Sequence, residues 1–310
     1  MRKKVTFILF FSLFVQLVTA QGQGVNHGNP LLSSLIFSND PDTLTAWNVS
    51  TNLNFNIQQI GLINWTAGGE PSLGFGAIIE SEAKYEKENV VWDNRTRVAY
   101  GVLRQGDDSN RFEKTDDNLL INSKYSQKFS EQVLMTSQLL FQTQMDKGFK
   151  VENGNRVLIS DFLSPGYLQA SHGITYRNGD HYNMTLSPFS GRFTFVVNDS
   201  LSNVGAFGVP VGQKIRSEAG ISLSGNVKTQ IVNNVNFRMA GNLFSNYEKF
   251  PSTVVNLLAT FDMKVNNYIG ASISTQLIYD EDVLITFGDG SQGTGVQIKN
   301  VINVGFNIRF

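Results

Sequence analysis

Apolar and polar residues alternate along most of this chain, so the pattern repeats at every second position. The segment that begins at residue 47 shows the alternation most clearly. Its odd-numbered positions carry apolar or β-branched side chains: Trp47, Val49, Thr51, Leu53, Phe55 and Ile57. Its even-numbered positions are polar: Asn48, Ser50, Asn52, Asn54, Asn56 and Gln58. Because successive side chains of a β-strand point to opposite faces, the pattern predicts a strand with one apolar and one amide-rich face.

Twelve segments carry this alternation and are predicted to be strands. They cover residues 46–58, 72–87, 90–104, 119–129, 132–145, 167–178, 181–197, 214–232, 234–247, 252–265, 268–280 and 296–310. Most exceed the ~9–11 residues that a tilted strand needs to cross a bilayer, whereas strands of soluble proteins average ~5–6 residues. In the seventh segment, Pro188 and Gly191 interrupt the alternation and predict a β-bulge.

The connections between these segments differ in length at the two ends of the predicted sheet. The long, polar connections are residues 59–71, 105–118, 146–166, 198–213 and 281–295. The connections of the other set are tight turns, for example at Glu88-Asn89 and Gly179-Asp180. Short periplasmic turns and long external loops are typical of outer-membrane barrels. The sequence therefore predicts an all-β fold, a transmembrane antiparallel up-and-down β-barrel of about 12 strands, in the cell outer membrane.

The first 20 residues have the pattern of a secretory signal peptide. Arg2, Lys3 and Lys4 precede an apolar segment, Val5 to Val18, and small or short residues follow up to Ala20. The alternative is a membrane anchor, but this segment is too short to span ~30 Å of hydrocarbon as a helix. We expect a signal peptide at 1–20, a periplasmic lead-in at 21–45 and the barrel at 46–310.

The C-terminal segment predicts how the barrel is assembled. Phe306, Ile308 and Phe310 alternate up to a terminal aromatic residue, a pattern that resembles the closing-strand signal read by the barrel-assembly machinery. The alternative is an ordinary last strand that ends in phenylalanine. Outer-membrane lipid and this machinery are the expected partners of a monomeric barrel.

The polar faces of the strands are predicted to line the barrel lumen. The candidate lining residues are Arg95, Arg97, Arg238, Lys124, Glu80, Glu82, Asp262, Asn52 and Asn54. Across all strands, this face collects more cations than anions. The leading hypothesis is a porin-like conduit or binder for small solutes, with anions favoured. The alternatives are a non-conducting structural or accessory subunit of a larger outer-membrane assembly, with ion pairs across its interior, and an outer-membrane hydrolase.

The composition limits the chemistry that the chain can perform. A net charge of −1 gives no reason to expect a nucleic-acid partner, and the absence of cysteine excludes disulfides and thiol catalysis. The three histidines, His27, His172 and His181, lack the spacing of a zinc pair, so no metal or cofactor is expected. Some outer-membrane lipid hydrolases carry serine two residues after histidine on a strand, and neither strand histidine has it there. Ser171 and His172 are neighbours that point to opposite faces, so no enzyme is predicted.

The first long connection carries a distinctive motif. It reads Asn64-Trp65-Thr66-Ala67-Gly68-Gly69-Glu70, with Trp47 ahead of it and Leu73-Gly74-Phe75-Gly76 behind it. Trp65 is suited to an interfacial anchor and Gly68-Gly69 to a tight bend. The motif resembles an uncharacterised family of Bacteroidota outer-membrane β-barrel proteins. That resemblance implies a location and a fold and carries no assigned activity.

Overall fold

We analysed a computed structural model of the chain. It describes residues 47–60, 71–106, 111–152, 155–179, 181–250, 252–266, 269–286 and 291–309. The predicted signal peptide, the whole lead-in, the motif residues Asn64, Trp65, Gly68 and Gly69, and the terminal Phe310 lie outside these residues.

Strands dominate the described part of the chain. In chain order they are β1 Trp47–Ile60, β2 Ser72–Lys87, β3 Val90–Gln105, β4 Glu113–Lys128, β5 Val133–Thr143, β6 Gly148–Glu152, β7 Asn155–Ser160, β8 Gly166–Asn178, β9 Tyr182–Phe195, β10 Ile215–Val232, β11 Val235–Asn246, β12 Thr253–Lys264, β13 Ile269–Asp280, β14 Leu284–Thr286, β15 Gln292–Thr294 and β16 Gln297–Arg309. A short helix, α1 (Asp199–Ser202), lies between β9 and β10. No helix among the described residues is long and apolar enough to cross a membrane.

Twelve of these strands form one closed barrel. The ring runs β1-β16-β13-β12-β11-β10-β9-β8-β5-β4-β3-β2, and each neighbouring pair is antiparallel. The ring closes where β16 pairs with β1, with Ile308 opposite Leu53 and Phe306 opposite Phe55. The predicted fold class, an all-β up-and-down barrel of about 12 strands, is confirmed. The closing seam is short: four residue pairs, from Asn52–Arg309 to Phe55–Phe306, join β1 to β16.

Eleven of the twelve predicted strands agree with the structure to within two residues at each end. The exception is β4, which begins at Glu113 instead of residue 119. Its first residues, Glu-Lys-Thr-Asp-Asp, lack an apolar face, yet Glu113 and Lys114 pair with Leu103 and Val102 of β3. Two connections predicted as loops, 146–166 and 281–295, contain the hairpins β6–β7 and β14–β15.

The bulge predicted in β9 is confirmed by the strand register. Leu186 pairs with Ile174 of β8, while Phe189 pairs with His172, so β9 holds an extra residue there. The register between β9 and β10 shifts at the same place. The inserted residue changes which positions of β9 face inward. Thr185 and Ser187 are buried before the bulge, and Ser190, Arg192 and Thr194 are buried after it.

The distribution of side chains is the reverse of that in a soluble domain. Large apolar residues are exposed on the outer face, among them Phe55, Ile79, Leu139, Phe261, Ile273 and Phe306. The interior is polar. For example, a chain of hydroxyl groups, Ser126–Thr136–Thr175–Thr185, crosses four strands with oxygen–oxygen distances of 2.9, 2.6 and 2.7 Å.

The long connections at one end fold into a small cap with its own apolar core. Val196, Leu201 and Val209 are buried there, and Leu158 and Phe207 pack against them.

A polar network holds the cap in place. Asn198 caps α1 by accepting hydrogen bonds from Ser200 N and Leu201 N, and its side chain donates to Asp161 Oδ2 at 2.8 Å. Lys214 binds Asp199, and this contact lowers the pKa of the exposed Asp199 carboxyl group.

Candidate functional site

Charged side chains meet in the middle of the barrel interior. Arg238 Nη1 on β11 lies 2.9 Å from Glu80 Oε2 on β2, and Arg238 Nε lies 2.6 Å from Asp262 Oδ2 on β12. Two guanidinium groups of β3 also approach Glu80 Oε1: Arg97 Nε at 3.3 Å and Arg95 Nη2 at 3.7 Å. We call these five residues the central cluster. On the shorter way round the ring, β1, β16, β13 and β12 separate β2 from β11, so the Arg238–Glu80 pair spans the interior.

Strand register explains why these charges meet. Between β2 and β3, Glu80 lies opposite Arg97 and Glu82 lies opposite Arg95. Directly opposed positions on one face of an antiparallel pair bring their side chains together. Arg95 Nε accordingly lies 3.6 Å from Glu82 Oε1. Each acid on this part of β2 therefore has a cation on β3, and Arg238 adds the contact from the far wall.

A second cluster lies near the short turns. Glu86 Oε1 on β2 accepts from Arg177 Nη2 of β8 at 2.9 Å and lies 2.8 Å from Lys128 Nζ of β4. Lys84 Nζ lies 3.1 Å from Glu86 Oε2. Because β3, β4 and β5 separate β2 from β8, the Arg177–Glu86 pair is a second contact across the interior.

Lys124 lies deeper beside this second cluster. It is opposite Asp93 in the register of β3 and β4. Both residues line a cavity of about 30 Å³ together with Ser126 and Arg177, which is the volume of about one water molecule. Lys124 therefore lies in a packed part of the interior.

A third cluster lies at the end that carries the cap. Arg192 Nη2 on β9 donates to Asp280 Oδ2 on β13 at 2.8 Å, although β10, β11 and β12 lie between these strands. Both side chains are buried. Arg216 Nη2 lies 2.8 Å from Glu218 Oε2 and 2.7 Å from Asp282 Oδ2. Ion pairs thus join distant walls at this end too.

Amide side chains make further connections between these levels. Gln138 Nε2 on β5 donates to Asn122 Oδ1 at 2.8 Å, and Ser224 Oγ on β10 donates to Gln138 Oε1 at 3.0 Å. Asn242 Nδ2 on β11 donates to Gln169 Oε1 on β8 at 2.9 Å. Side chains of several strands therefore meet across much of the interior.

The remaining lumen candidates and the terminal strand have simpler surroundings. Asn52 lies opposite Glu80 in the register of β1 and β2. Asn54 Oδ1 is buried without a hydrogen-bond partner among the described residues. Phe306 is exposed on the outer face, beside the seam that β16 forms with β1. Ile308 pairs with Leu53 through its backbone in the same seam.

Sequence reasoning missed the Arg192–Asp280 pair. With an unbroken period of two, Arg192 shares a face with the outward-facing Met184 and Leu186. The bulge at Pro188 shifts the phase by one residue and turns Arg192 inward. Phe189, which the bulge leaves 76% exposed, is the matching change on the outer face. Pro188 marks the bulge in the sequence, and a change of face for every later residue of β9 is the signal that places Arg192 inside.

Comparison with known proteins adds a family of unknown function and several distant barrels. Residues 57–149 match the model of a protein of unknown function, DUF3078. No curated protein matches the chain. Solved structures similar to this chain include an outer membrane channel from Pseudomonas putida F1, which is 10% identical with a TM-score of 0.38 and covers 89% of this chain and 100% of its own. OmpT, an outer membrane protein of Vibrio cholerae, is 8% identical with a TM-score of 0.31 and covers 87% of this chain and 99% of its own. Likeness at this level adds nothing to the barrel architecture that the strand pairing defines.

Proposed function

We propose that this protein is an integral outer-membrane β-barrel with a closed interior. In this proposal it acts as a structural or accessory subunit of an outer-membrane assembly and not as an open porin. The observation that carries the proposal is the Arg238–Glu80 ion pair, 2.9 Å long, between distant walls of the ring.

The side-chain distribution supports a membrane location. An exposed, mainly apolar outer face around a polar interior is the arrangement that a bilayer favours, since neighbouring strands pair their backbone groups and most outward side chains are apolar. Near the short turns, Trp47 packs on Tyr85 and Trp92 with ring centroids 5.3 and 5.5 Å apart. Aromatic residues at that level are typical of the belt at a membrane surface. The end with the short turns fits the periplasmic side of an outer-membrane barrel, and the end with the folded cap fits the external side.

The ion pairs support a closed interior. A conduit of twelve strands needs side chains that leave an aqueous path, whereas Arg177–Glu86, Arg238–Glu80 and Arg192–Asp280 tie walls together at three heights. The excess of inward cations, which motivated the hypothesis of an anion conduit, does not change at the cap end, because Arg192 and Arg216 are added together with their partners Asp280 and Asp282.

Two measurements test this proposal. The full chain should sediment with outer membranes and resist extraction at alkaline pH; a soluble or easily extracted protein would contradict the location. After insertion into planar bilayers, the wild type should give no conductance steps above background, and regular steps would overturn the closed interior.

A variant supplies the matched control. Replacing Arg177, Arg192 and Arg238 together with alanine removes all three contacts across the interior, so this variant should conduct where the wild type does not. Insertion of each protein is checked separately by protease protection in vesicles, so that a silent bilayer is not mistaken for failed insertion. If the variant does not fold, the wild-type recording alone decides.

A further inference from the structure

A serine and a histidine meet on the outer wall of the barrel. Ser137 of β5 and His172 of β8 lie opposite each other in the strand register. Ser137 Oγ and His172 Nδ1 are 2.9 Å apart, within hydrogen-bonding distance. The two residues are far apart in sequence, so no local sequence motif predicts the pair.

Both side chains face outward. Thr136 and Gln138, on either side of Ser137, are buried in the interior, and Ser137 is exposed. Ser171, which precedes His172, is also buried, while His172 is exposed. The pair therefore shares the outer face with apolar residues.

A polar pair is costly on such a face. Its neighbours there include Leu139 and Ile174, which are 50% and 55% exposed. Polar side chains that meet lipid are unfavourable and usually have a function. This cost distinguishes Ser137 and His172 from the many serine residues of the interior.

The pair lies in a shallow, open depression of the outer surface. The depression is lined by Trp92, Ser123, Tyr125, Gln138, Leu139, Ala170, Ser171 and Phe189 together with the pair. Because it is open, an acyl chain that lies against the outer wall can reach the pair. The β9 bulge supplies Phe189 at one edge, and the aromatic residues near the short turns supply the other.

The side chains of Trp92 and Ser123, which also line the depression, are held in place by hydrogen bonds. Trp92 Nε1 donates to Ser123 Oγ at 2.9 Å, and Ser123 Oγ donates to Asn94 Oδ1 at 2.7 Å. The depression thus combines apolar side chains, suited to an acyl chain, with the Ser137–His172 pair, whose hydroxyl and imidazole can reach an ester.

The level of this depression along the barrel wall agrees with such a ligand. Trp92 and Tyr125 belong to the aromatic residues near the short turns, and Ser137 and His172 continue the same row of register partners. Aromatic belts lie at the level of lipid headgroups, and the acyl esters of phospholipids lie just beneath. On the proposed orientation, this is the periplasmic leaflet.

We propose that Ser137 and His172 form a nucleophile and general base that cleave an acyl ester of a phospholipid in that leaflet. The inference rests on the proposed membrane location and on outward exposure of the pair. It does not depend on whether the interior conducts.

The reaction balances with water as the co-reactant. His172 takes the proton of Ser137 as Oγ bonds to the ester carbonyl carbon; the bond to the lipid alkoxy oxygen then breaks, and His172 returns the proton to that oxygen. Water next attacks the acyl–serine ester, again losing a proton to His172. Release of the fatty acid breaks the bond to Oγ, which recovers a proton.

A serine-directed probe tests the pair. The full chain, inserted into palmitoyl-oleoyl phosphatidylethanolamine vesicles, is treated with an alkyl fluorophosphonate, and the labelled peptide is identified by mass spectrometry. Ser137 should be labelled, and fatty acid should be released from the vesicles. Ser137→Ala should abolish both, and His172→Gln should reduce both at least about 100-fold, the range expected for loss of a general base.

Matched controls come from elsewhere in the chain. Ser81→Ala removes a hydroxyl group of β2 that forms a hydrogen bond with Thr51 of β1. His181→Gln removes a histidine that lies in a short turn. Both variants should be labelled on Ser137 as the wild type is. Three outcomes would overturn the inference. They are an inserted wild type that carries no label on Ser137, a His172→Gln variant labelled as strongly as the wild type, and a Ser137→Ala variant that releases as much fatty acid as the wild type. A chain that fails to insert at all would overturn the proposed location, and this inference with it.

Discussion

Arg238 shows how much one side chain contributes to the character of the interior. Its guanidinium group binds Glu80 of one wall and Asp262 of the adjacent strand at once, which the planar, forked geometry of arginine allows. A partly buried ion pair adds little net stability, and Glu80 keeps Arg97 and Arg95 nearby when Arg238 is removed. The Arg238–Glu80 pair therefore contributes more to the distance between the two walls than to the free energy of unfolding.

Phe261 gives a test of which side chains face lipid. It is 40% exposed on the outer face of β12 and packs on Phe237 with ring centroids 4.9 Å apart. Phe261→Arg should lower the free energy of unfolding by more than ~1 kcal/mol, because arginine is unfavourable where the outer face meets the hydrocarbon of a bilayer. The measurement is the urea midpoint of the protein folded into vesicles.

Val265→Arg is the matched control for Phe261→Arg. Val265 is also exposed, but it lies just beyond the end of β12, beside the turn at Asn266. At the membrane surface the same substitution should lower the free energy of unfolding by at most ~1 kcal/mol. Equal losses for the two variants would mean that the outer face does not meet lipid.

At the scale of single strands, most of the structure could be predicted from the sequence. A period of two is a local property, so segments such as 72–87 could be placed without knowing their neighbours. The pattern does not predict a strand that forms only because a neighbouring strand pairs with it. The start of β4 is such a case, since it has no apolar face and is held by hydrogen bonds to β3. It also fails after the bulge in β9, where one inserted residue changes the direction of every later side chain.

The seam between β16 and β1 depends on a close approach of two backbones. A Cβ atom on Gly305 of β16 would lie 2.4 Å from the carbonyl oxygen of Phe55 in β1. Gly305→Ala should therefore push the two strands apart and lower the free energy of unfolding by ~1–3 kcal/mol, the usual range for overpacking. Urea unfolding in vesicles measures the loss.

Gly191→Ala is the control for the seam. The nearest atom to a Cβ at Gly191 is a ring carbon of Phe193 at 3.6 Å, an ordinary contact. This variant should unfold at the wild-type urea concentration. A seam variant as stable as this control would show that β16 and β1 do not approach as closely as described.

At the scale of the whole molecule, the sequence predicted the architecture and the polar interior but not its connections. The prediction placed Arg95, Arg97, Arg238, Glu80 and Asp262 on one face. Which of them meet depends on the register and on the curvature of the ring, and neither is a local property. Ser137 and His172 illustrate the same limit, because only the pairing of β5 with β8 brings them together.

Closure of the ring predicts a sharp difference between two deletions. Removal of residues 297–310 takes away β16 and leaves the edges of β1 and β13 unpaired, so the product should aggregate and not insert. Replacement of residues 284–294, which include the β14–β15 hairpin outside the ring, by a short Gly-Ser linker should leave the barrel intact. Heat-dependent migration in detergent gels reports the folded barrel; a folded band after the first deletion would contradict closure through β16.

The contacts across the interior also have a mechanical consequence. A hollow twelve-stranded barrel can flatten when the surrounding membrane presses on it unevenly, because only its curved wall resists. Here Arg177–Glu86, Arg238–Glu80 and Arg192–Asp280 act as struts that run in different directions between β2 and β8, β2 and β11, and β9 and β13. Flattening along one axis must stretch at least one strut that lies across it, so the cross-section stays nearly constant as lateral pressure changes. Such a wall offers any neighbour in the membrane a surface of fixed curvature.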